Sequence, residues 1–361
     1  METDQPISNP LNSRALYHKF TFKKKLICIL LFLSVIVASL FAINAGSTAL
    51  DPFQVLQAIL GDGTEVSDVV IWQIRLPRVL AAIIAGAGLS VAGCVMQNNL
   101  RNPLASPSTL GISNAAAFGA SMAIIVFGAG SIKSTGSDAV LIDNPYLVAA
   151  SAFIWAMAGT VVILFLAKLR GFTPEAIVLA GVALGSLFSA GTILIQYFAE
   201  DVQVAAAVFW TFGDLGRAAW NEVFILSAIV VISIIYFMFR RWEYNALDSG
   251  EETAKSLGVH VERIRMAGMF TASLITAVAV SFLGIIGFIG LVGPQIMRRI
   301  IGEDHRYLIP ASALAGSLLL LISDTLARTM VAPVVLPVGA ITSFFGAPLF
   351  LYLLARGYHR K

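Results

Sequence analysis

Residues 75–111, RLPRVLAAIIAGAGLSVAGCVMQNNLRNPLASPSTLG, decide how this 361-residue chain folds. The stretch opens with two arginines either side of a proline, Arg75-Leu76-Pro77-Arg78. Pro77 suits the first turn of a helix, where its missing N–H costs nothing. The apolar run 79–96 that follows carries Gly86, Gly88 and Gly93, which let neighbouring helices approach closely. It ends in residues hostile to a helix, Asn98, Asn99, Asn102, Pro103, Ser106 and Pro107, and a second apolar run begins at once. In lipid such a break is tolerable only beside a water-filled cavity or inside protein. These six residues are therefore candidates for the lining of a path across a membrane.

Composition extends that reading to the whole chain. Hydrophobic residues make up 58%, charged residues only 12%, and mean hydropathy is +0.84. A soluble domain carries about 25% charged residues, so the chain is expected to be an all-α polytopic membrane protein. The net charge of +3 comes without a basic aromatic patch, which excludes a nucleic-acid partner. Cys28 and Cys94 lie far apart inside apolar runs and read as small core residues, not a disulfide, metal site or nucleophile.

Ten apolar runs can be marked: 26–45, 79–96, 112–130, 146–167, 176–198, 223–239, 266–286, 288–301, 308–326 and 338–354. About ten transmembrane helices follow, several of them short or broken. Run 288–301 is short for a span of about 20 residues, and run 112–130 starts at the broken segment. The first run follows Lys23-Lys24-Lys25, the pattern of a signal peptide, but it exceeds the usual apolar core of roughly 7–15 residues. It is expected to be an uncleaved first helix. The chain then divides into a tail 1–25, one membrane domain 26–356 with a polar loop 240–265, and a tail 357–361. A short amphipathic piece is expected at 52–60.

Charge sets the orientation. With ten crossings and the N-terminus inside, 19 of the 24 Lys and Arg fall on inner segments and 5 on outer ones. That asymmetry places both termini in the cytoplasm. Arg75, Arg78 and Arg328 stand out on the mostly acidic outer side. They read either as anchors at helix ends, with Asp324 pairing to Arg328 one turn away, or as a docking mark for an acidic partner. Gly250-Glu251-Glu252-Thr253-Ala254-Lys255-Ser256-Leu257-Gly258, in the long inner loop, reads as a short helix with acids in its first turn and a glycine stop. Ala254 and Leu257, three apart, are expected to share an apolar face. The segment is either a surface linker or a coupling helix for a cytoplasmic partner. Gly290, Gly293, Pro294, Gly339, Gly346 and Pro348 interrupt the last runs as further helix breaks; close helix packing accounts for most of the glycines.

No phosphate-cradling G-x-x-x-x-G-K-[ST] loop is present, no ligand spacing links His18, His260, His305 and His359, and no carboxylate sits mid-run. A membrane enzyme needs an acid, base or metal constellation, and an ion-coupled transporter or channel normally places ionisable groups at the midplane. No catalytic residue, metal or cofactor is expected. Transport energised by a separate subunit fits best.

RLPR, GxxLSxxGxxMQ, NPLASPSTLGIS, GEETAKSLG, GFIGLVGPQIMRRIIGEDHR and LPVGAITSFFGAPLFLYLL together resemble the permease subunits of bacterial iron-siderophore, haem and cobalamin ABC importers, in order and spacing from Arg75 onward. The resemblance implies the type II importer permease fold in the cytoplasmic membrane, paired with a second copy or a paralogue, with the path between the two. Two cytoplasmic ATP-binding subunits would bind below and a substrate-binding protein above. By the same resemblance Arg75, Arg78 and Arg328 meet acids of the binding protein, Gly250–Gly258 seats on the ATPase, and 202–215 is an outer gate helix. The chain departs from the family at Val334-Val335-Leu336-Pro337, where members often carry an acid. Ferric siderophore is the expected cargo, with haem or cobalamin as alternatives.

Overall fold

The computed structural model describes residues 10–46, 51–131, 141–142, 144–332 and 334–355. The tail 357–361 and residues 1–9 lie outside them. Fourteen helices account for most of the described chain, and each of the ten apolar runs lies on one of them. Seven helices are long and apolar enough to cross a membrane. They are α1 (residues 18–44 of Pro10–Asn44), α3 (Glu65–Asn99), α5 (Pro145–Leu169), α6 (Pro174–Tyr197), α8 (Trp220–Phe239), α11 (Val261–Leu283) and α13 (His305–Thr329). Helix α1 begins at Pro10, well before its apolar run.

The short runs are short helices. Helix α12 (Ile289–Ile301) has 13 residues, about 20 Å at 1.5 Å per residue, against a hydrocarbon core of roughly 30 Å. Helices α4 (Ile112–Val126) and α14 (Val338–Ala355) are the other two below full span length. The remaining helices are connectors: α2 (Pro52–Leu60), α7 (Asp201–Thr211), α9 (Arg241–Asp248) and α10 (Glu251–Ser256). The amphipathic piece expected at 52–60 is α2 itself. Asp51 and Gln54 form its capping box, and Gly61, left-handed at φ 89°, ends it.

The stretch that opens this account is most of one helix and the elbow after it. Helix α3 starts at Thr64, whose N–H donates to Ser67 Oγ (2.8 Å) while Thr64 Oγ1 accepts from the Ser67 N–H. Pro77 is thus well inside a continuous helix, and the expectation of a helix starting at Arg75 is corrected. The reason lies directly upstream, where residues Val69–Arg75 are wound as a π-helix. That wider winding absorbs a residue that cannot donate and that crowds the carbonyl four positions back.

Helix α3 is the axis of the bundle, with 78% of its most apolar window buried, against 17% for α1 and α6. It contacts α13 and α12 backbone to backbone. Gly86 faces Gly316 and Gly93 faces Gly290, and a Cβ on any of these four would meet a carbonyl oxygen of the facing helix. The Ser317 hydroxyl donates to the Ile83 carbonyl at 2.7 Å, closing the same seam. Helices α4, α5 and α6 pack together on one flank, α8 and α11 on another, and α1 lies along α13.

A branched side chain in the seam has no flexible neighbour to displace. Gly93→Val is expected to cost more than the ~1–3 kcal/mol typical of overpacking, because backbone must yield. Size-exclusion profile and thermal melting in detergent would show it; an unchanged Tm would contradict the packing described.

Candidate functional site

Three levels of the bundle carry the residues that the sequence singles out. At the end where α1 and α13 finish, Asp324 is fully buried between two arginines. Its Oδ1 accepts from Arg78 Nε at 2.9 Å, and its Oδ2 lies 3.0 Å from Arg328 Nε. Arg328 also donates to the carbonyls of Ala45 (2.9 Å) and Ala42 (3.1 Å), and Arg75 to those of Ile43 (2.8 Å) and Asn44 (3.0 Å). Those carbonyls belong to the C-terminus of α1, where the helix has no partners of its own. Two guanidiniums therefore cap α1 and complement its dipole. Arg75, Arg78 and Arg328 are only 4%, 8% and 7% exposed, so all three point inward in the single chain. Solvent reaches the cluster through Asp214, which is partly exposed and lies 3.4 Å from Arg78 Nη2.

The middle level is the elbow after α3. It is braced from within: Thr109 Oγ1 donates to the Ser106 carbonyl (2.7 Å) and accepts from the Ser106 N–H (3.0 Å), and Asn102 Oδ1 accepts from the Leu104 N–H (2.9 Å). Gln295 of α12 donates to Gln97 Oε1 and to the Pro103 carbonyl, both at 3.0 Å, tying the elbow to the short helix. Gly290, Gly293 and Pro294 are buried in the same contact with α3. Gly339 packs against the carbonyls of Phe212 and Ile285, and Gly346 against the Phe288 side chain; Pro348 lies within α14.

Most sequence candidates for a path are buried in the single chain. Asn98, Asn99 and Ser106 are 3%, 1% and 3% exposed. The polar opening lies beside them. A groove of about 480 Å³ runs between Ser108, Thr109 and Asn114 on one wall and Gly181, Gly185, Ser186 and Ser189 of α6 on the other. Asn114 Nδ2 donates across it to the Gly185 carbonyl (3.3 Å). The sequence reading missed the α6 wall, although glycines and serines at 181, 185, 186 and 189 mark one polar face on an otherwise apolar helix.

At the opposite end, α9 and α10 carry the expected coupling segment. Gly250 (φ 120°) and Gly258 (φ 82°) bound α10 with backbone conformations that only glycine adopts readily. Glu251 lies 2.9 Å from Arg265 and 3.1 Å from Lys255. Partial burial raises its carboxyl pKa, but the hydrogen bonds from those two cations outweigh that and hold it below the usual carboxylate range. Glu252 and Thr253 face outward. Ala254 and Leu257 do not share a face as expected: Ala254 is fully buried and Leu257 is 67% exposed. Ala254 is turned against the rest of the chain, whereas Leu257, the C-cap, stands clear of it.

Comparison with known proteins accounts for this arrangement. The chain is 58% identical over 344 residues (95% of this chain, 98% of the relative) to a Methanocaldococcus jannaschii protein named as an ABC transporter permease. It is 37% identical to the Fe(3+)-citrate import system permease protein YfmE of Bacillus subtilis, covering 92% of this chain and 96% of the relative. It is 38% identical to the hemin transport system permease protein HmuU of Yersinia pestis, covering 79% and 83%. A solved metal-chelate type ABC transporter in an inward-facing conformation superposes with a TM-score of 0.78 at 27% identity, over 92% of this chain and 100% of that one. The FecCD transport family matches residues 31–356. This chain is a multi-pass membrane permease of the FecCD transport family.

Proposed function

We propose that two copies of this chain form the membrane path of an ATP-driven importer that passes a ferric siderophore. The observation that carries the reading is the groove between the elbow and α6. Hydroxyls and an amide line it beside Val182 and Ile193, within helices that otherwise expose large apolar side chains such as Leu179, Leu187 and Leu194. A polar face at membrane depth needs a water path or another protein surface against it, and a second copy supplies both. Hydrogen-bonding walls without an aromatic platform suit a hydrophilic chelate better than the flat apolar ring of haem. Relatives named for ferric citrate and for hemin import share the scaffold.

The charge bias puts the Asp324 cluster outside and α10 inside. Separate ATPase subunits seat against the exposed face of α10, and this chain does no chemistry of its own. A substrate-binding protein docks at the outer end. Arg75, Arg78 and Arg328 hold that rim from beneath, and a partner carboxylate competes with Asp214 for Arg78.

Two outcomes test these contacts. Asp214→Asn is expected to tighten binding-protein affinity about two- to fivefold, the worth of one exposed ion pair; weaker or unchanged titration in nanodiscs counts against the competition. Leu257→Asp, at an exposed position, is expected to release the ATPase during detergent purification with the permease still folded. A complex that stays whole removes α10 from the ATPase contact.

A further inference from the structure

Two chains of contacts leave the N-terminal end of α10 and end on the two walls of the groove. On the N-terminal flank, Asp248 is the last residue of α9, two before Gly250. Its Oδ1 accepts from Asn98 Nδ2 at 2.5 Å, and Asn98 also donates to the Tyr244 carbonyl at 3.2 Å. Arg101 donates to the neighbouring Leu247 carbonyl at 3.0 Å. Asn98 and Arg101 begin the elbow, and the elbow carries Ser108 and Thr109 into the groove.

His305 fixes Asp248 from the other side. Its ring is fully buried, with Nδ1 3.3 Å from Asp248 Oδ2 and 3.0 Å from Asn245 Oδ1. Both neighbours are acceptors, so Nδ1 carries the hydrogen. Asn245 in turn donates to Asp304 at 3.1 Å, and Arg306 clamps that carboxylate at 2.6–3.0 Å. Hydrogen bonds from Arg306 outweigh partial burial and bring the Asp304 pKa down to about 2.

From the first residue of α10 itself, Glu251 pairs with Arg265, which is 2% exposed and donates to the Phe172 carbonyl at 3.3 Å. Phe172 is buried in the left-handed region (φ 53°) in the turn that enters α6 at Pro174. Helix α6 is the other wall.

We propose that Asp248 and Arg265 are positioning residues that fasten the N-terminal end of α10 to the elbow and to α6, so that one displacement of α10 moves both groove walls together. Only Ser249 and Gly250 separate Asp248 from Glu251, so a push on α10 reaches both attachments at one point. The elbow is braced within itself by Ser106 and Thr109, so it shifts as a unit. The proposal rests on the reading of α10 as the ATPase contact, and deepens it by naming how the push arrives at the path. Neither residue touches cargo, and neither lies on the outward face of α10.

The test uses the full complex with its cognate ATPase and binding protein in proteoliposomes, with Asp248→Asn and the charge-conserving Arg265→Lys. Cargo moved per ATP hydrolysed is expected to fall at least tenfold in each, with ATPase rate and complex assembly held within twofold of wild type. Spin labels at positions 109 and 186 give a second readout that stability alone does not move: the nucleotide-driven distance change seen in wild type is expected to vanish in both variants. Transport and hydrolysis falling in parallel, or an unaltered ratio with an intact distance change, overturns the proposal. A variant that does not assemble is replaced by His305→Gln, which loosens Asp248 without removing it, and the same two readouts decide. If the wild-type complex itself shows no ATP-dependent uptake, the importer reading has failed instead.

Discussion

The backbone seam of α3 against α12 and α13 is the constraint on which the other features depend. In lipid no hydrophobic gain draws helices together, so their association relies on close contact and hydrogen bonds. Gly86 on Gly316, Gly93 on Gly290 and the Ser317 bond to Ile83 supply both. A seam this tight has little room to slide. The parts hung outside it are held less deeply: helix α6 with its shallow burial, and α10, mostly exposed between its two glycines.

Charge is placed where the seam stops. At one end Asp324 is enclosed by Arg78 and Arg328, while Arg75 and Arg328 finish the C-terminus of α1. At the other, Asp248, His305, Asp304 and Arg306 meet around Asn98 and Asn245. Buried ion pairs contribute little net stability over apolar packing, yet removing one partner costs about 3–5 kcal/mol. Their effect here is to fix which helix ends meet. Asp324 is also the only carboxylate buried within the described membrane helices, and two guanidiniums occupy it. Its surroundings are those of a structural ion pair, not of a proton carrier facing a path.

Much of the architecture was legible in the sequence because it follows from local rules. Apolar runs marked every long helix, Asp51, Gln54 and Gly61 delimited α2, and the glycines of the 79–96 run did mean close packing. What failed depended on partners that local pattern does not show. Pro77 looked like a helix start because the π-helical turn before it has no sequence signature. The polar residues after the 79–96 run carry no local sign that Asn98 bonds to α9, 146 and 150 residues away. Arg75 and Arg328 were singled out, but their burial was not, since their acceptors are carbonyls of α1 more than 30 and more than 280 residues upstream. Leu257 was joined to Ala254 in one apolar knob, but spacing does not show which side chain the rest of the chain covers, and only Ala254 is buried. The polar face of α6 was present in the sequence and went unread.

The central claim is that this chain passes cargo only when an ATPase drives it. It is tested most directly by uptake of labelled ferric siderophore, haem and cobalamin into proteoliposomes holding the chain with its cognate ATPase and binding protein, with and without ATP. ATP-dependent accumulation of the ferric siderophore, with haem and cobalamin left outside, is the result predicted. Entry of all three without ATP would contradict the account, because the groove would then be an open pore and α10 would drive nothing.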